Sequence, residues 1–295
     1  MSTPDLSIVV PARGAPSLTQ RCLGSLLFSL RRVPGSHEVL LVDDASQGSA
    51  VASLFGDYRE KSPCPVRIFR FDERVHYTGV FNLGLAHSQG QRVFFLSNDM
   101  QVTPHFVNTL LGVAGLKPDI ATVRGTSPYT DSFPEYRVVP PFPLRGFEDV
   151  LAFSQFVSDY HGLTFRRDRL FSGDAVILNR AVLDRIGGFD PQFFGYYSDF
   201  DFGLRAQQEG FQLVCALGAW LQHEGAGHVK EEGPTYEEAA ARRNFLIQDD
   251  YQRFRAKWDP RLPEHHLGVG YDFERLRRRQ GERFYPFTPG PAREI

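Results

Sequence analysis

Four short runs rich in β-branched and aromatic residues, Leu6–Val10, Val39–Val42, Val66–Phe69 and Val93–Leu96, punctuate the first hundred residues at a rhythm that leaves room for a helix between some of them. Between the first two, the stretch from Leu18 to Leu30 places Leu23, Leu26, Leu27 and Leu30 at spacings of three and four, one apolar helical face. Val75 to Ser88 has the same character. Strand, helix and strand in this alternation cannot be closed by hairpins, so the strands must pair in parallel and bury both faces of a sheet under helices.

The pattern continues with a helix over Pro104–Leu116, where Thr103 stands at the N-cap and Pro104 at the first helical position, and with a strand at Ile120–Val123. It then pauses. Thr126 to Arg145 carries Pro128, Pro134, Pro140, Pro141 and Pro143, a loop too long for a simple connector and read as a substrate-side insertion. Beyond it the pattern predicts a helix over Phe147–Tyr160, a strand at Ala175–Leu178, a short helix from Arg180, a helix over Asp199–Glu209 and a strand at Phe211–Leu217. A mixed-charge helix over Tyr236–Trp258 and a tail rich in proline, arginine and aromatics complete the chain, with no internal repeat.

At 295 residues this is enough for one large α/β domain or two closely joined ones. A net charge of -2 gives no global reason to bind nucleic acid. Cys22, Cys64 and Cys215 are odd in number, far apart and without metal-ligand spacing, which argues against a disulfide framework or zinc site and for a reducing cytoplasm. The N-terminus lacks a basic leader and no run of 18 apolar residues occurs, so neither signal peptide nor membrane span is expected.

Chemistry is concentrated at strand ends, where ligands of open parallel sheets bind. Asp43 and Asp44 follow Val42 directly, and a carboxylate there can accept from a ribose hydroxyl or a base imide; the same residues serve equally well in a turn or helix cap. Ser97, Asn98 and Asp99 follow Leu96 in the same way, and Asp99 can offer oxygen to a hard cation bridging phosphates, although an Asx-turn fits too. Downstream, Asp199 falls in the first turn of a helix, near unpaired N–H groups, as either cap or base. Asp201 lies four residues before Arg205 and reads as half of an ion pair. His223 and His228 flank a small-residue loop after the last strand, where imidazole can ligate a metal or bond a diphosphate. No GxxxxGK occurs, and Val10-Pro11-Ala12-Arg13-Gly14 lacks GxGxxG, which removes kinase-like and dehydrogenase readings.

These elements, in this order, resemble family 2 glycosyltransferases of the GT-A fold, in particular rhamnosyltransferase-like bacterial enzymes that build polysaccharides. LSIVVPAR resembles the first strand and nucleotide loop, VLLVDDAS the uridine- or thymidine-contacting motif, VHYTGVFNLGLAHSQG the helix bearing N-x-G at Asn82 and Gly84, and FLSNDMQV the DxD-type metal motif. The stretch from Ser172 to Phe211 is similar to the acceptor-side signature, QHEGAGH occupies the place of the histidine motif, and FRAKW at Phe254–Trp258 is familiar from related tails. The likeness spans about Leu6 to His228. Three departures stand out: Ser97 and Asn98 replace acids in the metal motif, Ser198 replaces the usual Glu, and His76 replaces a usual glycine.

The resemblance implies an α/β GT-A fold, a Rossmann-like, mostly parallel sheet flanked by helices with a helical C-terminal extension. Residues 1–100 would form the nucleotide-sugar half of the domain, 101–230 the acceptor and catalytic half, and 231–295 the C-terminal helix and basic aromatic tail. It further implies that Pro11, Ala12, Arg13, Asp43, Asp44, Asn82 and Asn98 hold the nucleotide sugar and that Gly173, Asp174 and Tyr197 border the sugar and acceptor. Asp99 and His223 would hold Mn²⁺ or Mg²⁺, and Asp199 would be the base of an inverting transfer. The expected partners are a nucleotide-diphosphate sugar, UDP or dTDP favoured, and a glycan, lipid-linked or other hydroxyl acceptor. Arg275, Arg277, Arg278, Arg279 and Arg283 add the expectation of peripheral membrane contact at the inner face, weighed against a merely solvated charged helix. A non-catalytic nucleotide- or glycan-binding module and a sugar nucleotidyltransferase are the alternatives.

Overall fold

The computed structural model describes residues 3–130, 134–171, 173–225, 235–279, 281–288 and 290–295. Strands β1 (Leu6–Ala12), β2 (His37–Asp43), β3 (Val66–Arg70) and β4 (Arg92–Leu96) alternate with helices α1 (Pro16–Leu30), α2 (Ala50–Lys61) and α3 (His76–His87). After β4 come β5 (Met100–Gln101), α4 (Pro104–Ala114), β6 (Ile120–Thr126), a short 3₁₀ turn at Pro134–Tyr136, α5 (Phe147–His161), β7 (Phe165–Arg167) and β8 (Ala175–Asn179). The remainder is α6 (Arg180–Ile186), α7 (Ser198–Gln208), β9 (Gln212–Trp220), β10 (Gln222–His223), α8 (Tyr236–Trp258), α9 (Phe273–Arg277) and β11 (Arg293–Glu294).

The main sheet runs in the order β11-β3-β2-β1-β4-β8-β6-β9-β7. β1, β2, β3 and β4 are parallel, β6 and β9 are parallel to each other, and β8 is antiparallel to both β4 and β6. This is the mostly parallel α/β sheet that the alternation in the sequence demands. The chain winds from β1 outward to β2 and β3, then returns to place β4 on the other side of β1. The carboxyl ends of β1 and β4 therefore flank a topological switch point, where a crevice opens above the sheet.

Side-chain alternation divides the core into two layers. Ile8, Val10, Val39 and Leu41 join residues of α1, α2 and α4 on one face, while Val9, Leu40 and Val42 join α3, α6 and α7 on the other. All seven residues of β2 are buried, as a central parallel strand requires. The expected N-cap is present: Thr103 accepts a hydrogen bond from the Phe106 N–H and Pro104 opens α4. Helix α2 was not expected, because its buried face rests on only Val51, Phe55 and Tyr58 among polar and small residues. Helix α8 spans the expected residues and packs Tyr251, Phe254 and Trp258 into a third cluster with Phe193, Leu204 and Leu276.

Candidate active site

A cleft of about 330 Å³ opens at the switch point. Pro11, Ala12 and Arg13 line it from the end of β1, Asp44 from the end of β2, and Ser97, Asn98 and Asp99 from the end of β4. The facing wall consists of Asp174 before β8, the segment around α7 with Tyr197 and Asp199, His223 in β10, and Arg243 and Ile247 from α8. The antiparallel β4–β8 pairing explains one of these meetings: it sets Leu96 opposite Ala175, and the Ser97 N–H donates to the Asp174 carbonyl at 2.9 Å.

On the sheet side, Asp44 receives the N–H groups of Val75 at 2.7 Å and His76 at 3.1 Å, so it fastens the start of α3 to the end of β2. Burial raises its carboxyl above the ordinary range, with those N–H bonds and the charges of Arg13 and Arg74 acting against the rise. Arg13 in turn donates to the carbonyls of Asp44 at 2.8 Å and Ala45 at 3.3 Å. Asn98 donates to Thr19 at 2.8 Å. His76 has φ 55°, a left-handed conformation that is costly for a residue with a β-carbon, at the very position where the resembling family uses glycine.

Asp99 and His223 meet through a two-residue ribbon in which His223 pairs with Met100, leaving Asp99 Oδ2 at 3.4 Å from His223 Nε2. Burial opposes charge on His223, but the hydrogen bond and charge of Asp99, the charge of Asp174 and the Tyr129 carbonyl outweigh it and push the imidazole up to about 9. With Nδ1 at 3.1 Å from the Tyr129 carbonyl, the ring is held with Nε2 toward Asp99, and a carbonyl on one ring nitrogen is what orients an imidazole whose other nitrogen binds a metal. One carboxylate and one imidazole converging on a cleft suit a hard divalent ion that takes its other ligands from a diphosphate. Among the described residues no group of three or more His, Cys, Asp or Glu converges as a self-sufficient metal cage.

Asp199 lies in the first turn of α7 and accepts the Phe200 N–H at 2.9 Å. Burial raises its carboxyl to about 7; the Phe200 N–H opposes the rise and the negative charge of Asp174 adds to it. A carboxylate poised there is suited to proton transfer at neutral pH. Tyr197 precedes it at φ 59° and shares a 3.0 Å hydroxyl contact with Tyr271. Asp201 points away from the cleft into a sealed ion pair with Arg205 at 2.8 Å, joined by Lys257 and the Trp258 N–H.

Three expected contact residues do not reach the cleft wall. Asp43, one residue before Asp44 and so on the opposite side of the strand, is bound by Arg70 at 2.6 Å and by the Ser46 N–H at 2.8 Å. Asn82 clamps the Phe189 backbone with both ends of its amide, at 2.9 and 2.8 Å. Gly173 lies against Tyr77, whose hydroxyl a β-carbon there would overlap. His228 lies outside the described residues. Of the tail arginines, Arg275 pairs with Asp259, Arg277 with Glu274, and Arg283 with Glu209 at 2.9 Å, while Arg275, Arg278, Arg279 and Arg283 stay exposed.

Sequence reading passed over Arg74, Tyr77, Tyr196 and Arg243, all of which line the cleft. It also passed over Asp250 of α8. That carboxylate is fully buried and accepts the N–H groups of Phe194, Gly195 and Tyr196 at 2.8–3.1 Å, with Arg253 at 2.7 Å beside it. The loop leading into Tyr197 and Asp199 is thus held in shape from a helix some fifty residues away, as the 54-residue separation of Tyr196 and Asp250 records. The sequence carried one usable sign, an acid in the middle of a helix that places it on the same side as Tyr251 and Phe254.

Residues 7–185 match the family model described as Glycosyl transferase family 2. The O-antigen biosynthesis protein RfbC of Myxococcus xanthus is 27% identical over 88% of this chain, which spans 19% of that protein. The uncharacterized protein y4gI of Sinorhizobium fredii is 24% identical over 86% of this chain and 28% of its own length. The chain therefore spans less than a third of either relative. The N-acetylglucosaminyl-diphospho-decaprenol L-rhamnosyltransferase of Mycobacterium tuberculosis (strain ATCC 25618 / H37Rv) is 23% identical over 64% of this chain and 67% of that one. Among solved structures, the mannosyltransferase PcManGT from Pyrobaculum calidifontis, in complex with GDP-Man and Mn²⁺, superposes with TM-score 0.57 at 18% identity over 87% of this chain and 65% of its own. GalNAc-T7 with UDP, GalNAc and Mn²⁺ gives 0.58 at 16% identity over 93% and 54%. The fold is GT-A.

Proposed function

The chain belongs to glycosyl transferase family 2, and from that premise we propose that it transfers a sugar from a nucleotide-diphosphate donor to an acceptor hydroxyl, with inversion at the anomeric carbon, in the building of a bacterial polysaccharide or glycoconjugate. The observation that carries this reading is the single cleft in which Asp44, the Asp99–His223 pair and the raised Asp199 carboxyl face one another. Asp44, Pro11, Ala12 and Arg13 hold the nucleoside, with Asn98 beside them. Asp43 and Asn82 act behind the wall, fixing the strand end and the Phe189 segment rather than touching the donor.

Asp99 and His223 would hold the divalent ion, Mn²⁺ or Mg²⁺, which when bound supplies positive charge beside the leaving diphosphate. Arg74 and Arg243 add cationic charge to the same cleft. Asp199 takes the proton of the acceptor hydroxyl as its oxygen attacks the anomeric carbon, the glycosidic bond forms, and the carbon–oxygen bond to the nucleoside diphosphate breaks. Asp174 and Tyr197 border the sugar and acceptor. The proposed division of labour assigns donor binding to residues 1–100, acceptor binding and catalysis to 101–230, and support of the acceptor loop to 231–295.

The relative named for a diphospho-decaprenol acceptor favours a lipid-linked acceptor. Among the described residues no helix is long and apolar enough to cross a membrane, and the exposed tail arginines are placed to meet anionic headgroups in the proposed peripheral contact. Incubation with UDP-, dTDP- and GDP-sugars in Mn²⁺, Mg²⁺ or EDTA, read by thermal shift and donor hydrolysis, tests the reading. One nucleotide class is expected to raise Tm and to be cleaved only with metal. Failure of all three to bind overturns it, and retention of anomeric configuration in the product overturns inversion.

A further inference from the structure

His76 opens α3 in the left-handed region, at φ 55°. Glycine would take that conformation without steric cost, so the backbone gains nothing from a β-carbon here. Strain of this kind persists only where the surrounding structure fixes it, and it clusters at functional sites. Asparagine, aspartate and histidine are the side chains that enter the left-handed region most readily, and of the three only histidine brings a ring.

The ring is what the fold accommodates. The main chain of His76 belongs to the sheet side of the cleft: its N–H donates to Asp44 Oδ2 at 3.1 Å, beside the Val75 N–H on Oδ1 at 2.7 Å. The imidazole reaches the other wall, with its centroid 5.0 Å from the ring of Phe194 and 5.3 Å from that of Tyr196. Between those two, residue 195 has no side chain, and a β-carbon there would overlap the imidazole Nδ1. Three consecutive residues thus cradle the ring, in the loop that leads into Tyr197 and Asp199. Two positions further along α3, the Thr78 N–H donates to the Phe194 carbonyl at 3.3 Å and joins the same two segments again. The N–H groups of Phe194, Gly195 and Tyr196 go to Asp250 of α8. One short loop is therefore gripped by side chains from two helices, α3 and α8, and both His76 and Tyr196 line the cleft.

We infer that His76 is a positioning residue: its imidazole, seated over Gly195, holds the 194–196 loop against the Asp44 side of the cleft and so sets where Asp199 stands. The holding of the loop is independent of the reaction, whereas its effect on turnover rests on the transferase reading above. Amide hydrogen exchange, calorimetric titration with UDP, dTDP and GDP in Mn²⁺, and cleavage of the matching sugar nucleotide compare wild type with His76→Asn and His76→Gly. Both variants keep the N–H that Asp44 accepts and tolerate the left-handed backbone, and both lack the ring. Exchange of the amides at 194–197 is expected to quicken about three- to tenfold in both. Whichever nucleoside diphosphate binds should do so within about twofold of wild type, while kcat falls about ten- to a hundredfold, as expected when a reacting group is misplaced by a fraction of an ångström to an ångström.

Unchanged exchange at 194–197 in both variants overturns the inference and leaves the transferase reading standing. Quicker exchange with kcat unaltered overturns the positioning of Asp199. Equal losses of nucleotide affinity and kcat, together with a lower Tm in both variants, assign the ring to general packing and overturn it as well. Absence of nucleotide binding by wild type overturns the transferase reading, and the exchange comparison alone then decides whether the ring holds the loop.

Discussion

On the β1, β2 and β4 side of the cleft, each lining residue lies within about three positions of a strand end, so the sheet itself sets its place. The opposite wall has no such support. Asp199 and Tyr197 sit on a segment that takes a left-handed turn at Tyr197 and is held by Asp250, while Tyr271 and the cluster around Trp258 press on it from the C-terminal region. One wall is made rigid by the backbone ladder; the other is made rigid by side chains borrowed from far along the chain. On the proposed assignment, loosening the wall that carries Asp199 should leave the sheet wall undisturbed, and the converse should not hold.

Asp199→Asn offers the sharpest test of that separation. Donor affinity measured by calorimetry should remain within about threefold of wild type, while transfer falls by about 10²–10⁴, the range for loss of a general base; unchanged turnover would break the assignment. Asp250→Ala should come next. It leaves three partly buried N–H groups without their acceptor, while Arg253 keeps Asp249 at 2.7 Å, at a cost of about 3 kcal/mol and a fall in Tm on the order of 10 °C, read by calorimetry. Turnover should drop more than nucleotide affinity, and an equal drop in both would show that the two walls are one unit.

The pH profile ranks third. Because the ligand-free Asp199 carboxyl sits near 7, the base is ionised above that pH, so kcat/KM should rise about tenfold per unit below pH 7 and flatten above it. The linked stability runs the other way: a carboxyl whose pKa is raised on folding favours the folded state at acid pH and loses that contribution as pH climbs from the ordinary carboxylate value to 7. Asp199→Asn should lack both trends, as stopped assays and melting curves across pH 5–8 would reveal. The smallest expected effect belongs to Asp43→Ala on the sheet side. Arg70 is partly exposed and can be rehydrated, which leaves the buried Ser46 N–H without its acceptor, so the loss should be about 1–2 kcal/mol, with nucleotide affinity altered less than Tm.

The same contrast governs what could be read from the sequence. Strand-end motifs are local, and so Asp44, Asn98 and Asp99 were legible from apolar runs closing on polar residues; Thr103 and Pro104 announced α4 for the same reason. Adjacent Asp43 and Asp44 were not separable, because which of two neighbours faces the cleft depends on the phase of the pleat. Asp250, Tyr77 and Arg243 were invisible as site residues, since nothing near them in the chain marks the cleft they serve. The departure at His76 was visible as a letter but not as geometry: only the left-handed φ shows why a residue without a β-carbon is at ease there.

Strand β11 has a practical bearing of another kind. By pairing antiparallel along β3, with Ile295 N–H bonded to the Ile68 carbonyl and Arg67 bridged to Glu294 at 2.7 Å, it covers backbone that would otherwise be an open template for a second chain. Loss of the two paired residues would leave the β3 backbone unpaired and open to a strand of a second chain.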